Sequence, residues 1–230
     1  DMDYAQRRGV QIIRTPEALT DTVAEFAVGL ILSLLRKILT ADAAVRGGDW
    51  QRKFTDLVGT DLKGKTVGII GLGRIGSAVA KRLKAFDVNL IHYKRGRDFE
   101  LEGRLGVKYV KRNQLLRESD LISIHVPLTA ETYHMISHKE FNLMKNGVYI
   151  VNTSRGAVID EKALRDGLVS GKVAGAALDV FESEPLHHDS PLARLESVIL
   201  TPHLAASSEE ALKRLATIVA EEVIKALRSS

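Results

Sequence analysis

An α/β fold, with helices on both faces of a parallel sheet, is what this sequence predicts, on three observations. Short apolar runs alternate with segments of helical period from Thr66 onward, the pattern of strands buried on both faces. A glycine-rich turn joins the first of those runs to a helix. The composition, 45% hydrophobic and 27% charged over 230 residues, is globular, and a chain of this length buries roughly 70% of its extended surface.

The elements follow in order. Val10–Ile13 reads as a short strand, and Thr15-Pro16 as the turn after it. Thr22-x-x-Glu25 has the spacing of a capping box. Val23, Phe26, Ala27, Leu30, Leu34 and Ile38 then recur at helical spacing, and Ile31 and Leu35 widen the stripe. This helix is expected to be buried on several sides and to end near Gly47-Gly48, before an irregular connection from Trp50 to Gly64. The strands are placed at Thr66–Ile70, Val88–Tyr93, Leu121–Val126, Val148–Asn152, Gly175–Asp179 and Val198–Leu200. The helices between and after them are Ile75–Phe86, Asn113–Leu116, Glu161–Ser170 and the long amphipathic Ser207–Leu227. Right-handed crossovers follow from chain chirality.

Several function classes are disfavoured at once. The net charge of +4, from 33 basic and 29 acidic residues, is mild and is not gathered into a long run, so nucleic acid is not an expected partner. The absence of cysteine rules out disulfides, thiol catalysis and cysteine-held metals. The most apolar stretch, Val23–Leu35, is too short to span a membrane. No residues show metal-ligand spacing; His187-His188 stands beside Asp189, but adjacent side chains seldom converge on one ion.

Gly71-Leu72-Gly73-Arg74-Ile75-Gly76 is a GxGxxG between a strand and a helix, the setting in which it binds a dinucleotide. Gly71 serves the tight turn, Gly73 the approach of a pyrophosphate, and Gly76 the close packing of helix on strand. This makes the sheet a Rossmann-type, doubly wound one. An acid near the tip of the second strand would hold a ribose 2′-hydroxyl. Lys94 stands there instead, 18 residues after Gly76, followed by Arg95 and Arg97, and Asp98 comes four residues too late. Cations meet a 2′-phosphate, so NAD(P) is the expected cofactor, with NADP(H) mildly favoured by Lys94 and Arg95.

Three further motifs carry chemistry. Arg155 offers a planar fork for a carboxylate, His203 can exchange a proton near neutrality, and Glu184 can pair with the second ring nitrogen. All three lie beyond the carboxyl ends of predicted strands, where open α/β sheets bind ligands. Asn152-Thr153-Ser154-Arg155-Gly156, Ala177 to Pro185, Thr201-Pro202-His203-Leu204-Ala205-Ala206 and the run ending His125-Val126-Pro127-Leu128-Thr129 together resemble the D-isomer-specific 2-hydroxyacid dehydrogenases, over essentially the whole chain.

The resemblance implies an oxidoreductase that moves a hydride between a nicotinamide cofactor and a small 2-keto or D-2-hydroxy acid, of the glyoxylate/hydroxypyruvate or 3-phosphoglycerate type. It implies Arg155, Glu184 and His203 as the catalytic set, and Arg74 and Ile75 along the pyrophosphate. Thr15, Val126, Pro127, Thr153 and Ala206 would line the cofactor, and Asp179 would receive its carboxamide. A cytoplasmic homodimer is expected, with contacts through the Val23–Ile38 helix and the connection after it. The chain would divide into residues 1–36, a remnant of a flavodoxin-like substrate domain with the start of a linking helix; 37–206, the dinucleotide-binding domain; and 207–230, a helix returning to the substrate domain. The first part of that substrate domain is expected to be missing. An NAD(H)-sensing interaction protein or corepressor on the same fold is the alternative function.

Overall fold

Seven parallel strands make one sheet in the computed structural model, which describes residues 1–13, 15 and 17–228. They are β1 (Thr66–Ile70), β2 (Asn89–Tyr93), β3 (Lys108–Tyr109), β4 (Leu121–Ile124), β5 (Val148–Asn152), β6 (Val173–Leu178) and β7 (Val198–Leu200), in the order β3-β2-β1-β4-β5-β6-β7. The chain winds outward from β1 in one direction, then returns to start again at β4. The crevice at that reversal is where doubly wound sheets bind ligands.

Alternate strand residues feed two cores. On one face Ile70, Ile122, Ile124 and Ile150 pack with Leu115, Phe141, Leu164 and Leu168, from α6 (Arg112–Glu118), α7 (His138–Leu143) and α8 (Glu161–Val169). On the other face Val67, Ile69 and Val151 pack with Ile31, Leu34, Val79 and Leu83, from α2 (Thr20–Leu35) and α4 (Arg74–Leu83). Each fully buried side chain of this size stabilises by about 1.5–3 kcal/mol. The apolar runs placed β1, β5 and β7 correctly, because a strand covered on both faces has no polar positions to blur its ends.

The remaining helices are α1 (Met2–Arg7), α3 (Ile38–Arg46), α5 (Phe99–Leu105) and α9 (Glu209–Arg228). Several expectations are corrected here. Val10–Ile13 is not a strand: Val10 and Ile12 are exposed, and no strand among the described residues pairs with them. Pro16 of the expected turn lies outside the described residues. Thr22 and Glu25 form no capping box, since the N-cap of α2 is Leu19. Thr22 Oγ1 instead accepts from Arg214 of α9 at 2.9 Å, and Glu25 pairs with Arg82 of α4. The single helix expected up to Gly47 is broken at Lys37, which adopts a left-handed φ of 52°. No glycine or proline marks that break. Elements α1, α5, α7 and β3 were not foreseen. Their signals are short: Asp98 caps α5 by accepting from Leu101 N–H, and Ser137 and Glu140 cap α7 reciprocally.

Candidate active site

Three strand ends meet at the glycine turn. Gly71 has φ +96°, and its N–H donates to Tyr93 O at the end of β2. A Cβ there would stand 2.4 Å from His125 O, beyond β4. A Cβ at Gly76 would lie 2.1 Å from Gly71 O. Both glycines are therefore required by the fold itself. Gly73 is different. Its backbone is extended, and a Cβ would meet nothing within 4 Å. Neither strain nor packing calls for glycine there, and the space it leaves open adjoins the N-terminus of α4, which favours an anion. A dinucleotide pyrophosphate fits beside it.

Gly71, Gly73, Lys94, Arg95, Val126 and Pro127 line one cleft of about 430 Å³. Arg74 lines an adjoining one with Gly73 and Lys94. Gly76 is buried within α4, and Ile75 packs against the core. Thr153 is 8% exposed and its Oγ1 has no hydrogen-bond partner among the described residues. Thr15 and Ala206 are half-buried. Arg97, expected among the loop cations, is withdrawn. It grips Glu102, with Nη2–Oε2 at 2.5 Å, and stacks on Phe99 and Tyr109.

His125 borders the same cleft. Its Nε2 faces Ser123 Oγ at 2.8 Å, and its Nδ1 is enclosed without a hydrogen-bond partner among the described residues. Burial pushes its pKa down to about 4. The fold thus favours neutral imidazole, while an unfolded chain takes up the proton below the usual 6.5. Stability from this group is present above about pH 6.5 and is lost as pH falls toward 4, by on the order of 2–3 kcal/mol. Urea midpoints measured across that range should fall in the wild type and fall less in His125→Gln. Parallel curves for the two would reject this account.

The catalytic candidates come from the next three strands. After β5, buried Asn152 ties the turn: its Oδ1 accepts from Ser154 N–H and Oγ, and its Nδ2 donates to Arg155 O. The Arg155 side chain is exposed beyond it. A Cβ on Gly156 would stand 1.8 Å from the backbone carbon of Phe181. Only glycine lets the loop after β5 touch the loop after β6. Glu184 lies on that second loop, with Oε1 accepting from Phe181 N–H.

After β7, His203 adopts a left-handed φ of 53°, and its Nδ1 stands 2.7 Å from Glu184 Oε2. The two residues border a cleft of about 600 Å³. Burial raises the Glu184 carboxyl, but His203, the Phe181 N–H and nearby Arg155 outweigh it and hold it below the usual range. An ionised carboxylate has no proton to give, so Nδ1 donates and Nε2 is left for a ligand.

Asp179, directly after β6, is 0% exposed. Its Oδ1 accepts from Thr201 Oγ1 at 2.6 Å and Leu204 N–H at 3.0 Å, and its Oδ2 from Ala205 N–H at 2.9 Å. It thereby fastens the loop that presents His203. This part, like that of Asn152, was not foreseen; an Asp directly after an apolar strand is the signal that marked it. His187, His188 and Asp189 do approach one another, against expectation, with ligand atoms within 4.8 Å. All three are exposed, and Asp189 also faces Arg194 at 3.9 Å.

Residues 28–205 match the family described as "D-isomer specific 2-hydroxyacid dehydrogenase, NAD binding domain". The chain is 46% identical to a glyoxylate reductase of Thermofilum pendens, over 99% of its own length and 68% of that protein. It is 44% identical to a D-3-phosphoglycerate dehydrogenase of Archaeoglobus fulgidus, covering 97% of this chain and 42% of the relative. Among solved structures, a glyoxylate reductase from Paecilomyes thermophila superposes with a TM-score of 0.91 at 41% identity, over 98% of this chain and 68% of that one. With the match spanning most of its length, this chain belongs to the D-isomer-specific 2-hydroxyacid dehydrogenase family and carries its NAD-binding domain.

Proposed function

We propose that this chain is the nucleotide-binding part of an NAD(P)-dependent reductase, which converts a small 2-keto acid of the glyoxylate/hydroxypyruvate type to its D-hydroxy acid. The reading is carried by the Glu184–His203 pair, 2.7 Å apart and near Arg155, on loops beyond β5, β6 and β7. When bound, a nicotinamide cofactor supplies the hydride. The chain supplies the rest. Arg155 receives the substrate carboxylate in a bidentate fork. Nε2 of His203 gives a proton to the ketone oxygen, and takes it back in the oxidative direction. Glu184 fixes the ring through Nδ1. Oxidation of a phosphorylated hydroxy acid, such as 3-phosphoglycerate, would use the same three groups.

The surface supports further partners within the same protein. A compact body of this mass would show roughly 10,300 Å², whereas this chain shows 13,228 Å². Along α9, Leu212, Val219, Val223, Ile224 and Leu227 are exposed, and only Ala211 is buried. A substrate domain against α9 and α1 would cover such a face, and the division at residues 36 and 206 rests on that reading. For a homodimer, the apolar character of α2 is no argument, because its own sheet already buries it. The exposed Ile38, Leu39, Val45, Trp50, Phe54 and Val58 that follow it are the better surface.

Gly73→Ala tests the dinucleotide site. The variant should melt like the wild type, since its Cβ meets nothing. It should bind NADH and NADPH about tenfold more weakly, about 1.4 kcal/mol. Unchanged affinity in a folded Gly73→Ala would place the ligand elsewhere.

A further inference from the structure

Two consecutive amides of the loop after β6 are each held by a carboxylate. Phe181 N–H donates to Glu184 Oε1 at 3.0 Å, and Glu182 N–H donates to Glu161 Oε1 at 2.6 Å. The second bond is returned: Glu161 N–H, at the start of α8, donates to Glu182 Oε1 at 2.8 Å. The peptide between Phe181 and Glu182 is also pressed by the loop after β5, since a Cβ on Gly156 would stand 2.0 Å from Phe181 O. A third loop reaches the same point. His134, after β4, has a left-handed φ of 46° and donates its N–H to Ala157 O. Its Nε2 is enclosed, lacks an aligned hydrogen bond among the described residues, and stands 3.1 Å from Glu182 Oε1.

Stability alone is a poor reason for this arrangement. Asp160 already caps α8 by accepting from Ala163 N–H. The two glutamates bring like charges together. Burial, aided by the Glu182 charge, raises the Glu161 carboxyl in spite of the bond from Glu182 N–H. What the clamp supplies is position. It fixes the peptide on one side of the Phe181 Cα, and the N–H on the other side holds Glu184, whose Oε2 meets His203 Nδ1 at 2.7 Å. We infer that Glu182 is a positioning residue for proton transfer: clamped to Glu161, it sets the backbone at Phe181 and, through it, the carboxylate that orients the His203 ring. Glu182 acts through Glu184 and not on the reacting atoms. The inference rests on the proton-transfer reading above.

The test is steady-state glyoxylate reduction, with a substrate domain in place, by the wild type, Glu182→Ala, Glu182→Gln, Glu161→Ala, Glu184→Ala and the double variant Glu182→Ala/Glu184→Ala. Lys162→Gln, at an exposed position of α8, is the control. Glu182→Ala should lower kcat about tenfold, because a small misplacement of a reacting group is costly, and should leave KM and cofactor affinity near the wild type. Glu161→Ala removes the same clamp from α8 and should repeat the result. Glu182→Gln can still accept from Glu161 N–H and should recover most of the loss. Lys162→Gln should change nothing. In the Glu184→Ala background, Glu182→Ala should cost almost nothing more, since the group it acts through is gone. Losses that multiply in the double variant would overturn the inference and leave the proton-transfer reading standing. So would a fall in Tm with kcat unchanged, or a change confined to KM. A Glu184→Ala enzyme with wild-type kcat would remove that reading, and this inference with it.

Discussion

With a substrate domain in place, His203→Gln is expected to lower kcat/KM for glyoxylate reduction by about 10²–10⁴-fold, the usual worth of a positioned proton donor. Cofactor binding should be unchanged, because His203 borders the cleft with Glu184 and Leu200 rather than the one with Gly73. The variant removes the group proposed to protonate the substrate's carbonyl oxygen and keeps comparable bulk. Glu184→Gln should cost less. It can still meet Nδ1, but it loses the ionised carboxylate that Arg155, His203 and the Phe181 N–H hold. Steady-state kinetics on glyoxylate, with cofactor affinity measured separately, would decide. A His203→Gln enzyme with near wild-type kcat would end the proton-transfer assignment and favour the NAD(H)-sensing alternative.

Asp179→Ala is expected to destabilise the fold by about 3–5 kcal/mol, a fall in Tm of roughly 10 °C. It strands three donors that meet the buried carboxylate: Thr201 Oγ1, Leu204 N–H and Ala205 N–H. The loss should extend to function, because these bonds hold the loop in which His203 keeps its left-handed φ. A thermal melt reads the first effect. Hydrogen exchange at the amides of Leu204 and Ala205 reads the second, and both should lose protection. If Tm and exchange stay at wild-type values, Asp179 does not fasten the loop. Its contact with a cofactor carboxamide would then be the reason for its place after β6.

The two variants separate what each level of description could give. Runs such as Val67–Ile70 and Val148–Val151 are apolar at every position, so the sequence alone determined buried parallel strands and their order of appearance. The spacing of Gly71, Gly73 and Gly76 determined the ligand loop, and the four motifs determined the family. Short or unpaired segments misled. Val10–Ile13 has strand composition but no partner strand, and a backbone ladder needs a partner. The Thr22–Glu25 spacing suits a cap, yet both side chains are recruited by arginines distant in sequence, Arg214 and Arg82.

Contacts between distant segments were decided only by the tertiary structure. Gly156 against Phe181, Asp179 beneath Ala205, and Glu184 against His203 join loops after β5, β6 and β7. Their meeting depends on how neighbouring strands lie in the sheet, and no periodicity along the chain encodes that. The loop cations show the same division. The sequence put Lys94 and Arg95 forward, with Arg97 on the same loop. Folding placed Glu102 and two aromatic rings around Arg97 and left Lys94 at the cleft with Gly73. Composition fixes which charges are present, and packing decides which of them remain free to meet a ligand.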